Sequence, residues 1–221
     1  MCGRYSLAID GETLVEEFGV TGLAAWAPRY NIAPSQVVPA IVEKDGSREA
    51  ANLHWGLVPG WAKDKKISSR LINARAETVA TKPAFGTAFC KRRCLLPADG
   101  YYEWAKQRNG KQPYYIFAAS RRPFAFAGLW EQWSDANGYP YLSCSIITCE
   151  ANGELERIHH RMPVVVAREH YATWLDDGSR PQRLVGLLKP TADVTFSAVA
   201  VSTFVNSPAH EGPDCIKPRH P

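Results

Sequence analysis

Apolar residues recur at two spacings along this chain, and the strand-like one dominates. Runs of strand length lie at Val37–Val42, Ala51–Val58, Cys94–Ala98, Tyr101–Ala105, Tyr114–Ala118, Phe124–Trp130, Tyr141–Thr148 and Val194–Val201. Asn109-Gly110 and Asn137-Gly138 separate successive runs, and such pairs accept the left-handed backbone that tight hairpins require. Helical spacing is rarer. Thr13-x-x-Glu16 has the form of a capping box ahead of Leu14, Val15 and Phe18, with Gly19 as a stop, which predicts a helix over 12–18. Ala74–Phe89 reads as more helical than extended, although Lys82-Pro83 and Gly86 interrupt it. Ala151–Arg157, Ala167–Asp176 and Arg183–Leu188 complete the predicted helices, and Pro28, Pro34 and Pro39 punctuate a loop that carries Arg29 to Pro34.

Strands in succession, with helices only at intervals, predict an α+β single domain. Its expected core is a curved, largely antiparallel β-sheet or barrel with peripheral helices. The 221 residues suit one generous domain, expected over 1–205. The remaining 206–221 hold Pro208, Pro213, Pro218 and Pro221 among polar residues, a composition that reads as a loosely ordered tail. With 45% hydrophobic and 22% charged residues the composition is that of a globular protein. The densest apolar stretch, Pro163–Ala167, is too short to span a membrane. Arg4, Asp10 and Glu12 interrupt any secretory signal. A cytosolic or nuclear monomer is therefore expected, with no membrane partner.

Six cysteines, at 2, 90, 94, 144, 149 and 215, include no C-x-x-C pair. Their spacing is unlike that of structural zinc sites, and no metal or cofactor is expected. Net charge is a modest +4, but the basic residues cluster: Lys63 to Lys66, Arg70, Arg75, Lys91-Arg92-Arg93, Arg121-Arg122, and Arg157 to Arg161. Tyr30, Trp55 and Trp61 lie near them in sequence. Cations for phosphate and rings for unstacked bases are what single-stranded nucleic acid requires. Solvated loops and core tryptophans account for the same residues equally well.

Position two changes that balance. Removal of Met1 would leave Cys2 with a free α-amine beside its thiol, a 1,2-aminothiol. The amine condenses with aldehydes, the thiolate is the stronger nucleophile, and together they close a thiazolidine ring. Five further segments accompany Cys2-Gly3-Arg4-Tyr5: Tyr30-Asn31-Ile32-Ala33-Pro34, Trp55 to Trp61, Leu71 to Glu77, Ala98 to Trp104, and Ile158 to Pro163. In this order, over Cys2 to about Val201, the chain resembles the SOS-response-associated peptidase (SRAP) family.

That resemblance implies recognition of abasic sites in single-stranded DNA and covalent coupling to them through Cys2, with autoproteolytic removal of Met1 as a second proposed activity. The family's catalytic glutamate and histidine match Glu103 and His159, with His160 in a lesser role. Asn73 matches an asparagine that holds the N-terminal amine or a sugar hydroxyl. Trp61 and Pro34 match a wedge that bends DNA, and Asn31 lies in the same DNA-facing set. Arg4, Arg75 and Arg161 each adjoin a catalytic position and suit flanking phosphates; a core-facing ion pair is the competing reading. The chain departs from the pattern at Ala62, where some members carry a second aromatic, and its Lys63–Ser69 insert is basic enough to grip backbone. Two rivals remain open: an N-terminal-nucleophile glutaminase, which also uses a cysteine freed of Met1, and a non-covalent single-strand-binding module.

Overall fold

A computed structural model describes residues 2–108 and 110–219; Asn109 of the first predicted turn lies outside them. Thirteen strands are present among the described residues: β1 Tyr5–Leu7, β2 Arg29–Ile32, β3 Val37–Lys44, β4 Ser47–Trp55, β5 Asn73–Arg75, β6 Arg93–Ala98, β7 Gly100–Gln107, β8 Gly110–Ala118, β9 Phe124–Ser134, β10 Pro140–Glu150, β11 Arg161–Pro163, β12 Val165–Val166 and β13 Phe196–Ala200. Four short α-helices accompany them: α1 Gly11–Phe18, α2 Gly86–Lys91, α3 Tyr171–Leu175 and α4 Pro181–Gly186. The expected α+β domain with a barrel-like core is what forms. In one sheet β4, β3, β6, β9 and β10 close on themselves, because β10 pairs both with β9 and, in parallel, with β4. The second sheet, ordered β13-β8-β7-β1-β2, is antiparallel throughout.

Aromatic side chains of the second sheet fill the space against the barrel. Tyr5 and Tyr101 are register partners on β1 and β7. Tyr5 meets Trp55 edge-on at 5.4 Å, and both tyrosines meet Phe126, at 5.7 and 6.2 Å. Burying a ring such as Phe126 stabilises the fold by roughly 1.5–3 kcal/mol.

Several boundaries differ from those the pattern predicts. The first helix is capped by Asp10, whose carboxylate accepts from Thr13 N, so Thr13 is inside the helix and no capping box forms; Gly19 does stop it, at φ 69°. The segment read as helical from Ala74 to Phe89 holds only α2. Its start is drawn out as β5 alongside β10, Asn73 against Ile146 and Arg75 against Thr148, and successive turns fill the interval. The loop around Arg29 contains β2, paired with β1. Ala151–Arg157 shortens to a 3₁₀ turn over Gly153–Arg157.

The C-terminal composition also misleads. Val205 and Cys215 are fully buried, and Val201 bridges Pro218. As far as Arg219, which donates to Ala200 O, the chain is a packed strap across the second sheet. No helix is long and apolar enough to cross a membrane among the described residues.

Candidate active site and nucleic-acid interface

The four predicted catalytic residues arrive from four remote segments at the seam between the two sheets. Cys2 enters just ahead of β1 and is fully buried. Asn73, held extended by its pairing with β10, donates from Nδ2 to the Cys2 carbonyl at 2.7 Å. On β7 side chains alternate between faces, so Glu103 shares the inward face of Tyr101. His159 leaves the 3₁₀ turn before β11, and its Nδ1 lies 4.0 Å from Glu103 Oε1.

Burial governs the protonation of this group. It raises the Cys2 thiol far above its ordinary range, with the Glu103 carboxylate adding to the rise, so the thiol keeps its proton at neutral pH. Burial likewise raises Glu103 and lowers His159, which favours the neutral form of each. His159 Nδ1 lies 3.0 Å from the Arg161 amide nitrogen and 3.1 Å from the Arg161 carbonyl oxygen, so the backbone of Arg161 orients the ring in either tautomer. His160 stacks on His159 at 4.4 Å and is itself exposed. The Tyr5 and Tyr101 hydroxyls and Asn73 Oδ1 are buried with no hydrogen-bond partner among the described residues.

Residues predicted to face DNA divide into two groups. Trp61 stands 61% exposed, Arg75 is exposed, and Pro34 is partly so. The others are engaged by the protein. Arg4 donates to Asn31 Oδ1 and to Val205 O, each at 2.8 Å, and Asn31 Nδ2 reaches the Ser207 and His210 carbonyls at 2.9 and 2.7 Å. Both side chains thus tie the N-terminal segment and β2 to the strap. Arg161, 8% exposed, makes a two-pronged pair with Glu77 at 2.6 and 3.0 Å, the core-facing alternative noted for it.

The basic clusters divide in the same way. Arg93 is buried, donating to Phe89, Trp174 and Asp176 carbonyls. Arg122 and Arg168 both pair with Glu17. All six cysteines are free, and no group of three or more His, Cys, Asp or Glu is arranged to hold a metal ion among the described residues. The strap's carbonyls, which secure Arg4 and Asn31, had no signal in residue type; only the buried Val205 and Cys215 hint at packing.

The family model described as SOS response associated peptidase (SRAP) matches residues 1–208. The abasic site processing protein YoaM of Bacillus subtilis (strain 168) is 40% identical over 221 residues, covering 98% of this chain and 97% of that protein. The abasic site processing protein HMCES of Gallus gallus is 30% identical over 226 residues, covering 87% of this chain and 67% of that protein. A crystal structure of a protein from Bacteroides thetaiotaomicron superposes with a TM-score of 0.89 at 26% identity, over 99% of this chain and 100% of that one. A match spanning the barrel, the second sheet and all four seam residues carries one conclusion: this chain belongs to the SRAP family.

Proposed function

We propose that the protein senses abasic sites in single-stranded DNA and couples to them covalently through Cys2, once loss of Met1 has freed its α-amine. The ring-opened deoxyribose presents an aldehyde. The amine condenses with it, releasing one water and leaving an imine. The thiol then adds across the C=N bond: sulfur bonds to the former aldehyde carbon, and the proton lost from sulfur is balanced by one gained at nitrogen. A thiazolidine results.

The observation that carries this reading is the meeting of Asn73 with the Cys2 backbone at 2.7 Å beside a Glu103–His159 pair 4.0 Å apart. Asn73 orients the nucleophile by its neutral amide. Glu103, kept protonated by burial to a higher pH than an ordinary carboxyl, donates to the departing oxygen. His159, biased toward neutral imidazole, takes up the proton that sulfur releases. Trp61 and Pro34 wedge the lesion and Arg75 meets a phosphate, while Arg4, Asn31 and Arg161 hold the walls of the site.

Intact-mass analysis after incubation with single-stranded DNA carrying one abasic site tests the proposal. The expected product is protein lacking Met1 plus the strand, minus one water, and stable to denaturation. Cys2→Ser closes only an oxazolidine, which hydrolyses readily, so wild-type yields of stable adduct from that variant would overturn the thiazolidine route. Release of ammonia from glutamine by the same preparation would favour the glutaminase rival instead.

A further inference from the structure

We infer that Lys65 is a positioning residue that latches the loop bearing Trp61 onto the β9–β10 hairpin, so that its charge serves ring contact rather than phosphate. The inference rests on the DNA-binding reading above and assigns that reading a new residue. Lys65 Nζ lies 4.2 Å from the centroid of Tyr141 and 5.8 Å from that of Trp133. Those two rings belong to register partners across the hairpin. Tyr141 is backed by His54, stacked at 4.4 Å and 15°, so the face offered to the ammonium is fixed from behind.

The same hairpin holds the loop at a second point. Trp133 Nε1 donates at 2.7 Å to the carbonyl of Ala62, the residue next to Trp61. Ala62 N closes a turn onto Pro59 O at 2.9 Å. Beyond it Asp64 accepts from Lys66 N at 2.8 Å and starts the 3₁₀ turn Lys65–Arg70. Among the described residues the Trp61 side chain makes one hydrogen bond, a 3.3 Å contact from its indole to Pro83 O. Its exposed ring therefore takes its direction from a backbone clamped at Ala62 and Lys65. An ammonium over an aromatic face is attracted by the ring quadrupole, and among the described residues Lys65 is the one cation of the Lys63–Ser69 insert in such a contact.

The test uses a single-stranded oligonucleotide carrying a tetrahydrofuran abasic analogue, which binds without forming an aldehyde. Lys65→Met keeps the length of the stem and removes the charge. It should weaken binding about three- to tenfold while leaving the slope of log affinity against log salt at its wild-type value. Lys65→Arg should restore binding. In a Trp61→Ala background Lys65→Met should cost nothing further, since the two residues act as one unit.

A slope flattened by about 0.7 in Lys65→Met would make Lys65 a phosphate contact and overturn the latch. Full additivity with Trp61→Ala, or no effect of Lys65→Met at all, would overturn it too. Failure of the wild type to bind the oligonucleotide would instead sink the DNA reading. In that case the ¹⁹F spectrum of 5-fluorotryptophan-labelled protein still decides the latch. With Trp61 assigned by Trp61→Phe, its resonance should shift in Lys65→Met and return in Lys65→Arg; an unmoved resonance overturns the inference.

Discussion

A carboxyl group as deeply buried as that of Glu103 opposes folding when ionised. Its folded pKa is raised above the ordinary value of about 4.3. Between the two values the folded state binds more protons than the unfolded one, so stability falls as pH rises through that window and the loss persists above it. Glu103→Gln should therefore melt at or above the wild-type temperature at pH 7, with the gap closing below about pH 4. The same change should slow crosslinking by about 10²–10⁴-fold with DNA affinity nearly intact, as should His159→Ala, while His160→Ala stays mild. Affinity losses as large as the rate losses would make Glu103 and His159 binding groups. The arginines divide by their partners. Replacing exposed Arg75 with Ala should flatten the salt slope by about 0.7. Arg161→Ala should lower stability by about 1–3 kcal/mol, discounted because Glu77 is half exposed, and leave the slope unchanged. Urea melts and salt titrations of the two variants separate those outcomes.

At the scale of elements, the first helix poses a choice between two caps. Asp10 accepts from the Thr13 amide at 2.8 Å, so Asp10→Ala should lower the midpoint of a urea melt. Glu16→Ala should be near silent, because no capping box reaches Glu16. The strap is a larger stake. Asn31→Ala strips donors from the Ser207 and His210 carbonyls and the acceptor from Arg4, at a cost of about 1–3 kcal/mol, since the groups left behind are only partly open to water. A midpoint unchanged at constant m-value would remove the strap from the folded unit. Elements whose own residues dictate them were legible in the sequence. The long strands β3, β8, β9 and β10 follow from apolar runs of strand length and flanking turns, and the Asn137-Gly138 turn forms with Gly138 at φ 83°. The short ones were not. Residues Asn73–Arg75 are extended only because β10, some seventy residues later, pairs with them, and β2 exists because β1 does. The strap illustrates the same limit: its prolines and polar residues describe a solvated coil until Arg4 and Asn31 supply donors from the far end of the chain.

The site, too, exists only at the scale of the whole molecule. The sequence motifs singled out Cys2, Asn73, Glu103 and His159, but no local spacing brings them together; closure of the barrel and packing of the second sheet do. Cys2 is thereby held at the seam, with Asn73 donating to its carbonyl and the thiol buried beside Glu103. The proposed aminothiol route sets a strict requirement on the α-nitrogen. Where Met1 is retained, or a tag precedes it, that nitrogen is an amide whose lone pair is delocalised into the peptide bond, and it cannot form an imine. The thiol alone can add to the aldehyde only as a hemithioacetal, which reverts on denaturation. Protein shown by mass to retain Met1 should therefore give no adduct that survives denaturation, even though its fold, its salt-dependent affinity and its Cys2 side chain are unchanged. Processed protein from the same preparation should gain the strand mass minus one water. A full yield of stable adduct on chains that demonstrably keep Met1 would eliminate the aminothiol route, and an essential Cys2 would then have to act by its thiol alone.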